Sequence, residues 1–413
     1  MTNQNIKIPE GWTQIQLGKL FFERPKSRIK VEDAFLGGQY PFFTSGEKIL
    51  SRNDYLVDGS NLFLATGGVA NVKFYNNKAS CSADTYCIAT KDDNVKLFFY
   101  YLQHNLSYIN YHFFEGSGLK HLQKSDFKKH QILLPKNPKE QQKIVEMLTA
   151  IDEAIDKAEA LIQKYQRIKH GLMQNLLTKG IDENGNIRSE KTHKFKDSPL
   201  GRIPEEWEVN PIGKECKQSG GSIQTGPFGS QLHAKDYKEN GIPIITVEHL
   251  AEGKILHQNL PLVGEADYRR LRKYVLKYGD LVFSRVGAID RCSFTSYKEE
   301  GWLFSGRCLR VRGGSRFDAK FLSYLLNYDT CKQWILNNAV GSTMKCLNTT
   351  ILSNLPIKMP TLPEQSRIAS ILSQADETIQ KEETYKQKLL SLKSGLMEDL
   401  LTGKVRVVNH LLN

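Results

Sequence analysis

Glu140-Gln141-Gln142-Lys143-Ile144-Val145-Glu146-Met147-Leu148 comes back as Glu364-Gln365-Ser366-Arg367-Ile368-Ala369-Ser370-Ile371-Leu372. From Glu140 to Thr178 and from Glu364 to Thr402 the two copies align without a gap, and nearly half of the positions are identical. The shared pairs include Asp152-Glu153 with Asp376-Glu377, and Gly171-Leu172-Met173 with Gly395-Leu396-Met397. Leu176-Leu177-Thr178 likewise matches Leu400-Leu401-Thr402. Chance does not produce such an alignment, so the chain contains a duplication.

Each copy reads as a long helix. Ile144, Leu148, Ile151, Ile155, Ala158, Ile162, Tyr165, Leu172 and Leu176 recur at alternating steps of four and three, a heptad seam broken at Lys169. Pro138 suits the first helical position behind an Asn137 cap. Ile368, Leu372, Ala375, Ile379, Leu389, Leu396 and Leu400 keep the seam in the second copy, with Glu382, Lys386 and Lys393 interrupting it. Two related helices in one chain favour an intramolecular pair over a homodimeric coiled coil, the polar interruptions setting register. Val145, Met147, Leu161, Ile168, Met173 and Leu177 widen the first stripe beyond one partner helix, and Leu401 extends the second. Part of this surface must meet globular domains; the rest is read as a docking face for another protein. Glycine is unfavourable inside helices, so Gly171 and Gly395 suggest a close approach of the other helix or a partner.

Outward from the helices the duplication continues. Ile8-Pro9-Glu10-Gly11-Trp12 returns as Ile203-Pro204-Glu205-Glu206-Trp207, each followed by a Gly-Lys pair. Gly116-Ser117, Lys120 and Leu122 return as Gly341-Ser342, Lys345 and Leu347, and both stretches end at a proline, Pro135 or Pro360. Between these marks lie two regions without mutual resemblance, each mixing short β-like runs, glycine turns and a helix. The expected organisation is a first globular domain over 1–137, a long helix over 138–180 and a polar linker over 181–200. A second domain then covers 201–361, a second long helix 362–403 and a tail 404–413.

The 413 residues suffice for two cores, and a formal charge of +12 with a pI near 9.1 favours a polyanionic partner. Arginine crowds 269–316: Arg269, Arg270, Arg272, Arg285, Arg291, Arg307, Arg310, Arg312 and Arg316. No apolar run reaches the length of a membrane span, and the start lacks the order of a signal peptide. Seven cysteines without a C-x-x-C pair suit a cytoplasmic protein. The phosphate-binding G-x-x-x-x-G-K-[ST] loop, a G-x-G-x-x-G helix opening, an Asn-Pro-Pro-Tyr box and H-E-x-x-H are all missing. Cys81, Cys87, His104, His112 and His121 have spacings that match no metal-ligand pattern.

This layout resembles the specificity subunits of type I restriction-modification systems. The likeness is carried by the two Ile-Pro-Glu-x-Trp starts, the Gly-Ser…Lys-x-Leu…Pro exits, and Glu-Gln-x-x-Ile-x-x-x-Leu at both helix starts. Gly38-Gln39-Tyr40-Pro41-Phe42-Phe43-Thr44-Ser45-Gly46, Thr225-Gly226-Pro227-Phe228-Gly229-Ser230-Gln231-Leu232 and Gly241-Ile242-Pro243-Ile244-Ile245 look like openings of target-recognition domains. The resemblance implies an α+β protein with two α/β target-recognition domains. They are joined by two long helices packed as an antiparallel coiled coil with internal pseudo-two-fold symmetry. It further implies that each domain reads half of a bipartite site in double-stranded DNA, with the helices setting the gap. Two methyltransferase subunits would dock on the helices, and two ATP-dependent restriction subunits where the system has them. The chain itself would be non-catalytic and free of cofactors; S-adenosylmethionine, ATP and Mg would belong to the partners. A stand-alone two-reader protein such as a repressor is the alternative, and an unrecognised nuclease or methyltransferase a third.

Base reading needs forked or paired donors and acceptors on segments that reach a groove. The candidates are Thr44, Ser45, Lys48, Thr66, Asn71, Lys73 and Lys120 in the first domain. In the second they are Thr225, Ser230, Gln231, His249, Arg285, Ser342 and Lys345. Lys120 and Lys345 are repeat equivalents, which suits a shared phosphate contact. Turn capping competes at each Ser and Thr, and a solvated helix face competes for Arg269–Arg272.

Overall fold

A computed structural model describes residues 8–90, 94–228, 231–341 and 345–407. The long helices run Pro138–Leu176 and Leu362–Leu401. Asn137 caps the first, its side-chain oxygen accepting from the Lys139 N–H at 2.9 Å. The chain divides into two compact units: residues up to Leu161 together with those from Glu382, and Ile162–Lys381. Each unit therefore holds one globular domain, the first part of the helix that follows it and the last part of the other helix. The unit boundaries cut through both helices rather than falling at their ends.

In the first unit a four-stranded antiparallel sheet has the order Phe21–Glu23, Thr85–Thr90, Ser60–Ala65, Val72–Asn76. Trp12–Gln16 pairs with Gln131–Pro135, and Phe42 and Phe43 lie parallel to Ser80 and Cys81. The second unit repeats this frame. Its sheet has the order Ser222–Thr225, Cys308–Arg312, Leu281–Ser284, Cys292–Phe294. Glu208–Pro211 pairs with Pro356–Met359, and Ile244 and Ile245 lie parallel to Leu303 and Phe304. Two regions that share no legible sequence thus share a backbone plan, because ladders require only paired backbone amides and carbonyls.

Most of the heptad seam is buried, while Ile155, Tyr165, Leu172, Ala375 and Leu396 are half-buried. Ile144 and Leu148 pack with Met397, Leu400 and Leu401 in the first unit, and Leu176 with Ile368 and Leu372 in the second. Within each unit the helix segments run antiparallel, and the polar interruptions lie across the pair. Lys393 meets Asp152 at 2.7 Å and Lys386 meets Glu159 in the first unit; Lys169 meets Asp376 at 2.6 Å in the second. A tyrosine from each globular domain joins these pairs: Tyr100 donates to Asp152 at 2.8 Å, and Tyr324 to Asp376 at 2.6 Å. Burial, then the adjacent carboxylate, pushes both phenols well above their usual range, so they remain donors. Gly171 and Gly395 depart from expectation. An added Cβ would meet nothing within 4 Å at either, so neither marks a close helix approach.

The segment 181–200 is also more than a polar linker. Ile181 is buried in the second core, and Phe195–Lys196 pairs with Ile203–Pro204. Arg188 forks onto Glu364 at 2.5 and 3.3 Å, where Trp207 Nε1 and the Ile181 N–H also donate. The first unit repeats the device: Arg406 forks onto Glu140 at 2.5 and 2.8 Å beside the buried Trp12. Each carboxylate opens one long helix, and each arginine follows the end of the other. Gly180 and Gly403, both at positive φ, let the chain turn there. A Cβ on Gly180 would fall 2.5 Å from Trp207, and one on Gly403 3.1 Å from Trp12.

Glu364 is only 8% exposed, so removing its cation leaves a nearly dry charge answered only by the Trp207 and Ile181 N–H groups. Arg188→Ala is expected to lower stability by about 3–5 kcal/mol in urea unfolding of the whole chain. Lys30→Ala, which opens an exposed surface pair, should leave the midpoint unchanged.

Candidate nucleic-acid interface

In the first domain the turn after Tyr40–Phe43 draws five of the sequence candidates together. Lys73 Nζ donates to the carbonyls of Thr44 and Gly46 at 3.0 and 2.5 Å and to Asn71 Oδ1 at 2.9 Å. Asn71 Nδ2 donates to the Ser45 carbonyl at 2.5 Å, and Thr66 Oγ1 to the Asp84 carbonyl at 2.5 Å. Ser45 Oγ also donates to Asp84 and accepts from the Thr66 N–H at 3.3 Å. The candidates do cluster, but most of their hydrogen-bonding capacity is occupied in shaping the turn. Burial pulls the Lys73 pKa down, with Glu47 opposing it. Lys48 and Lys120 remain exposed, and the Lys120 carbonyl accepts from the Gly68 N–H.

In the second domain, Thr225 ends an edge strand and is half-buried. Gln231 accepts from the Tyr274 hydroxyl at 2.7 Å, and its carbonyl holds Arg270. His249 is a correction: it is buried, with Nδ1 2.9 Å from Thr246 Oγ1 and Nε2 3.1 Å from the Gln258 carbonyl. It closes a short turn instead of presenting its ring to a groove. Lys345 is exposed and donates to the Leu336 carbonyl. Ser230 and Ser342 lie outside the described residues.

Arg285 differs from these. It lines a groove of about 710 Å³ with Phe228, Thr246, Glu248 and Arg307. Its guanidinium sits 4.8 Å from the Phe228 ring centroid. Local backbone geometry makes this rim. Gly226 approaches so closely that a Cβ would fall 2.1 Å from the Ser305 carbonyl, and one on Gly306 would fall 2.3 Å from that of Pro227. The crossing puts Phe228 and Arg307 side by side. Burial pushes the Tyr237 phenol up at the same wall, with Arg307 opposing it. Phe228, Thr246 and Arg307 were missed as candidates; glycines on both crossing segments, Gly226 and Gly306, were the available signal.

A family model described as the type I restriction modification DNA specificity domain matches residues 9–167 and 204–391, well over half of the chain. The chain belongs to this family. It is 28% identical to the type I restriction enzyme MjaVIII specificity subunit of Methanocaldococcus jannaschii, covering 98% of this chain and 95% of that protein. It is 24% identical to the EcoDI specificity subunit of Escherichia coli, over 91% and 84% of the two chains. The fold is shared with the crystal structure of the S subunit from M. genitalium, at TM-score 0.64, 15% identity and coverage of 97% and 98%.

For this type I specificity chain the apolar helix faces need correction. Leu177 and Leu401 are buried in the cores of their own units, and Val145, Met147 and Met173 pack partly against them. A helical period says which residues share a face but not what covers it. Leu161 and Ile168 are exposed, as are their repeat equivalents Tyr385 and Leu392. Among the described residues no helix is long and apolar enough to cross a membrane, and no three potential metal ligands come together.

Lys73→Met leaves the Thr44 and Gly46 carbonyls without their shared donor. It is expected to cost about 1–3 kcal/mol in thermal unfolding, while Lys48→Met should be nearly silent.

Proposed function

We propose that the chain reads a bipartite, asymmetric DNA site, one half per globular domain, and directs methyltransferase and restriction subunits to it. The observation that carries this reading is one backbone frame built twice with different polar side chains upon it. A common frame can meet duplex DNA in one manner, while unlike side chains select unlike half-sites. The positive charge supplies the phosphate attraction that precedes selection. Family membership and its similarity to the MjaVIII and EcoDI specificity subunits support the same role.

On this reading the chain acts in the cytoplasm without catalysis of its own, and S-adenosylmethionine, ATP and Mg serve its partners. Selection from randomised duplexes should enrich two short conserved clusters at a fixed gap. One contiguous site, or methyl transfer by the purified chain alone, would overturn it.

The exposed pairs Leu161/Tyr385 and Ile168/Leu392 support docking of two copies of one methyltransferase. Equivalent positions are exposed in both copies, and Gly171 and Gly395 leave open space one helical turn beyond Ile168 and Leu392. Burying such a side chain is worth about 1.5–3 kcal/mol. Ile168→Glu alone should therefore reduce bound partner from two copies to one by native mass spectrometry. Ile168→Glu with Leu392→Glu should remove both, and retention of two copies by the double variant would exclude these positions.

A further inference from the structure

The two domains can be compared residue by residue through their hydrogen bonds, although their sequences cannot be aligned there. Thr66 follows the strand Ser60–Ala65; its N–H donates to the Asp84 carbonyl at 3.3 Å, and its carbonyl accepts from Leu122 at 3.0 Å. Arg285 follows the strand Leu281–Ser284; its N–H donates to the Arg307 carbonyl at 2.9 Å, and its carbonyl accepts from Leu347 at 2.9 Å. Asp84 directly precedes Thr85–Thr90, as Arg307 directly precedes Cys308–Arg312. Two residues earlier, Ser82 donates to the Phe43 carbonyl and Ser305 to that of Ile245. Thr66 with Asp84 and Arg285 with Arg307 are therefore the same two backbone positions, filled with different chemistry.

We infer that Arg285 and Arg307 are the base-reading pair of the second domain and that Arg285 takes a guanine in the major groove. The same backbone positions in the first domain carry Thr66 and Asp84, whose side chains are held by the Asp84 carbonyl and by Ser82, so that domain presents no guanine-reading fork there. This inference rests on the DNA-reading role proposed above. Of the other arginines in 269–316, Arg269 pairs with Glu265, Arg270 with Asp267, Arg312 with Asp280 and Arg316 with Glu215, and Arg310 donates to Ser222 at 3.0 Å; Arg272 and Arg291 do not line the groove. Among the described residues neither Arg285 nor Arg307 has an ion pair or a side-chain hydrogen bond. Arg285 is rooted by backbone bonds on both sides and lies against an aromatic face, which orients its planar fork in advance. A rigid fork matches the O6 and N7 acceptors of guanine, whereas a phosphate needs only a point charge. Glu248, on the same groove, is suited to accept from the amino group of the paired cytosine.

The test is selection of randomised duplexes by the full-length chain, followed by titration of the enriched duplex at several salt concentrations. The wild type should enrich two half-sites, one containing an invariant G·C pair. Arg285→Gln should lose the preference at that single position, weakening the original duplex about 10- to 100-fold, with the other half-site unchanged. Arg285→Lys keeps the charge without the fixed planar fork, and should weaken the guanine preference while retaining the salt dependence. Unchanged melting of the Lys variant certifies its fold. Equal weakening on every duplex, with the salt slope reduced by about one and the base preference intact, would make Arg285 a phosphate contact and overturn the inference. A wild type that enriches no sequence would instead overturn the DNA-reading role beneath it.

Discussion

A carboxylate with almost no exposed surface has to be answered by a cation held in place, and this chain imposes that condition twice. Glu140 and Glu364 open the long helices beneath the domains they follow, and each is met by an arginine that arrives from beyond the other helix. Charge burial of this kind is a poor source of net stability but a strict arbiter of geometry. A helix slipped by one turn would leave both groups unmatched. The Asp152–Lys393 and Asp376–Lys169 pairs add the same demand further along, each also fixed by a tyrosine from its own domain. Polar residues at seam positions, which weaken apolar packing, thereby define the register of the helix pair.

On that scaffold the globular domains share a plan without sharing a sequence. The plan resides in backbone amides and carbonyls, so side chains at the strand ends are free to differ. Thr66 and Asp84 stand where Arg285 and Arg307 stand, and replacing one set by the other alters no ladder hydrogen bond. Such separation lets the side chains at these positions differ without the domain having to refold. The first domain turns its polar residues inward on the 44–46 turn, whereas the second leaves two guanidiniums on the rim of a groove.

The duplication, the heptad seams and the two-domain layout were legible because identity and period survive in the sequence. The equivalence of Thr66 and Arg285 was not legible, since strand pairing leaves no residue-level signature when both faces are covered. Thr44, Ser45, Asn71 and Lys73, read from the sequence as DNA-contact candidates, meet in one turn, but composition cannot distinguish a polar cluster that serves the fold from one that faces a ligand. His249 shows the same ambiguity in a buried setting. Leu177 and Leu401 failed differently: Leu177 lies just past the end of its helix, and both are covered by neighbours from distant sequence. The reading of 181–200 as a linker failed because Arg188 is significant only through Glu364.

The composition of the first core sets an order on how the protein can be made. Trp12, Leu97, Tyr100, Ile144 and Leu148 share their cluster with Met397, Leu400, Leu401 and Val407, whereas the second unit is a single uninterrupted stretch of chain. A ribosome delivers the first domain early but withholds its covering helix until the second unit has emerged. The first domain to be synthesised is thus the last to be sealed, and its apolar floor must wait, open to chaperones or to misassociation, for the closing segment to arrive.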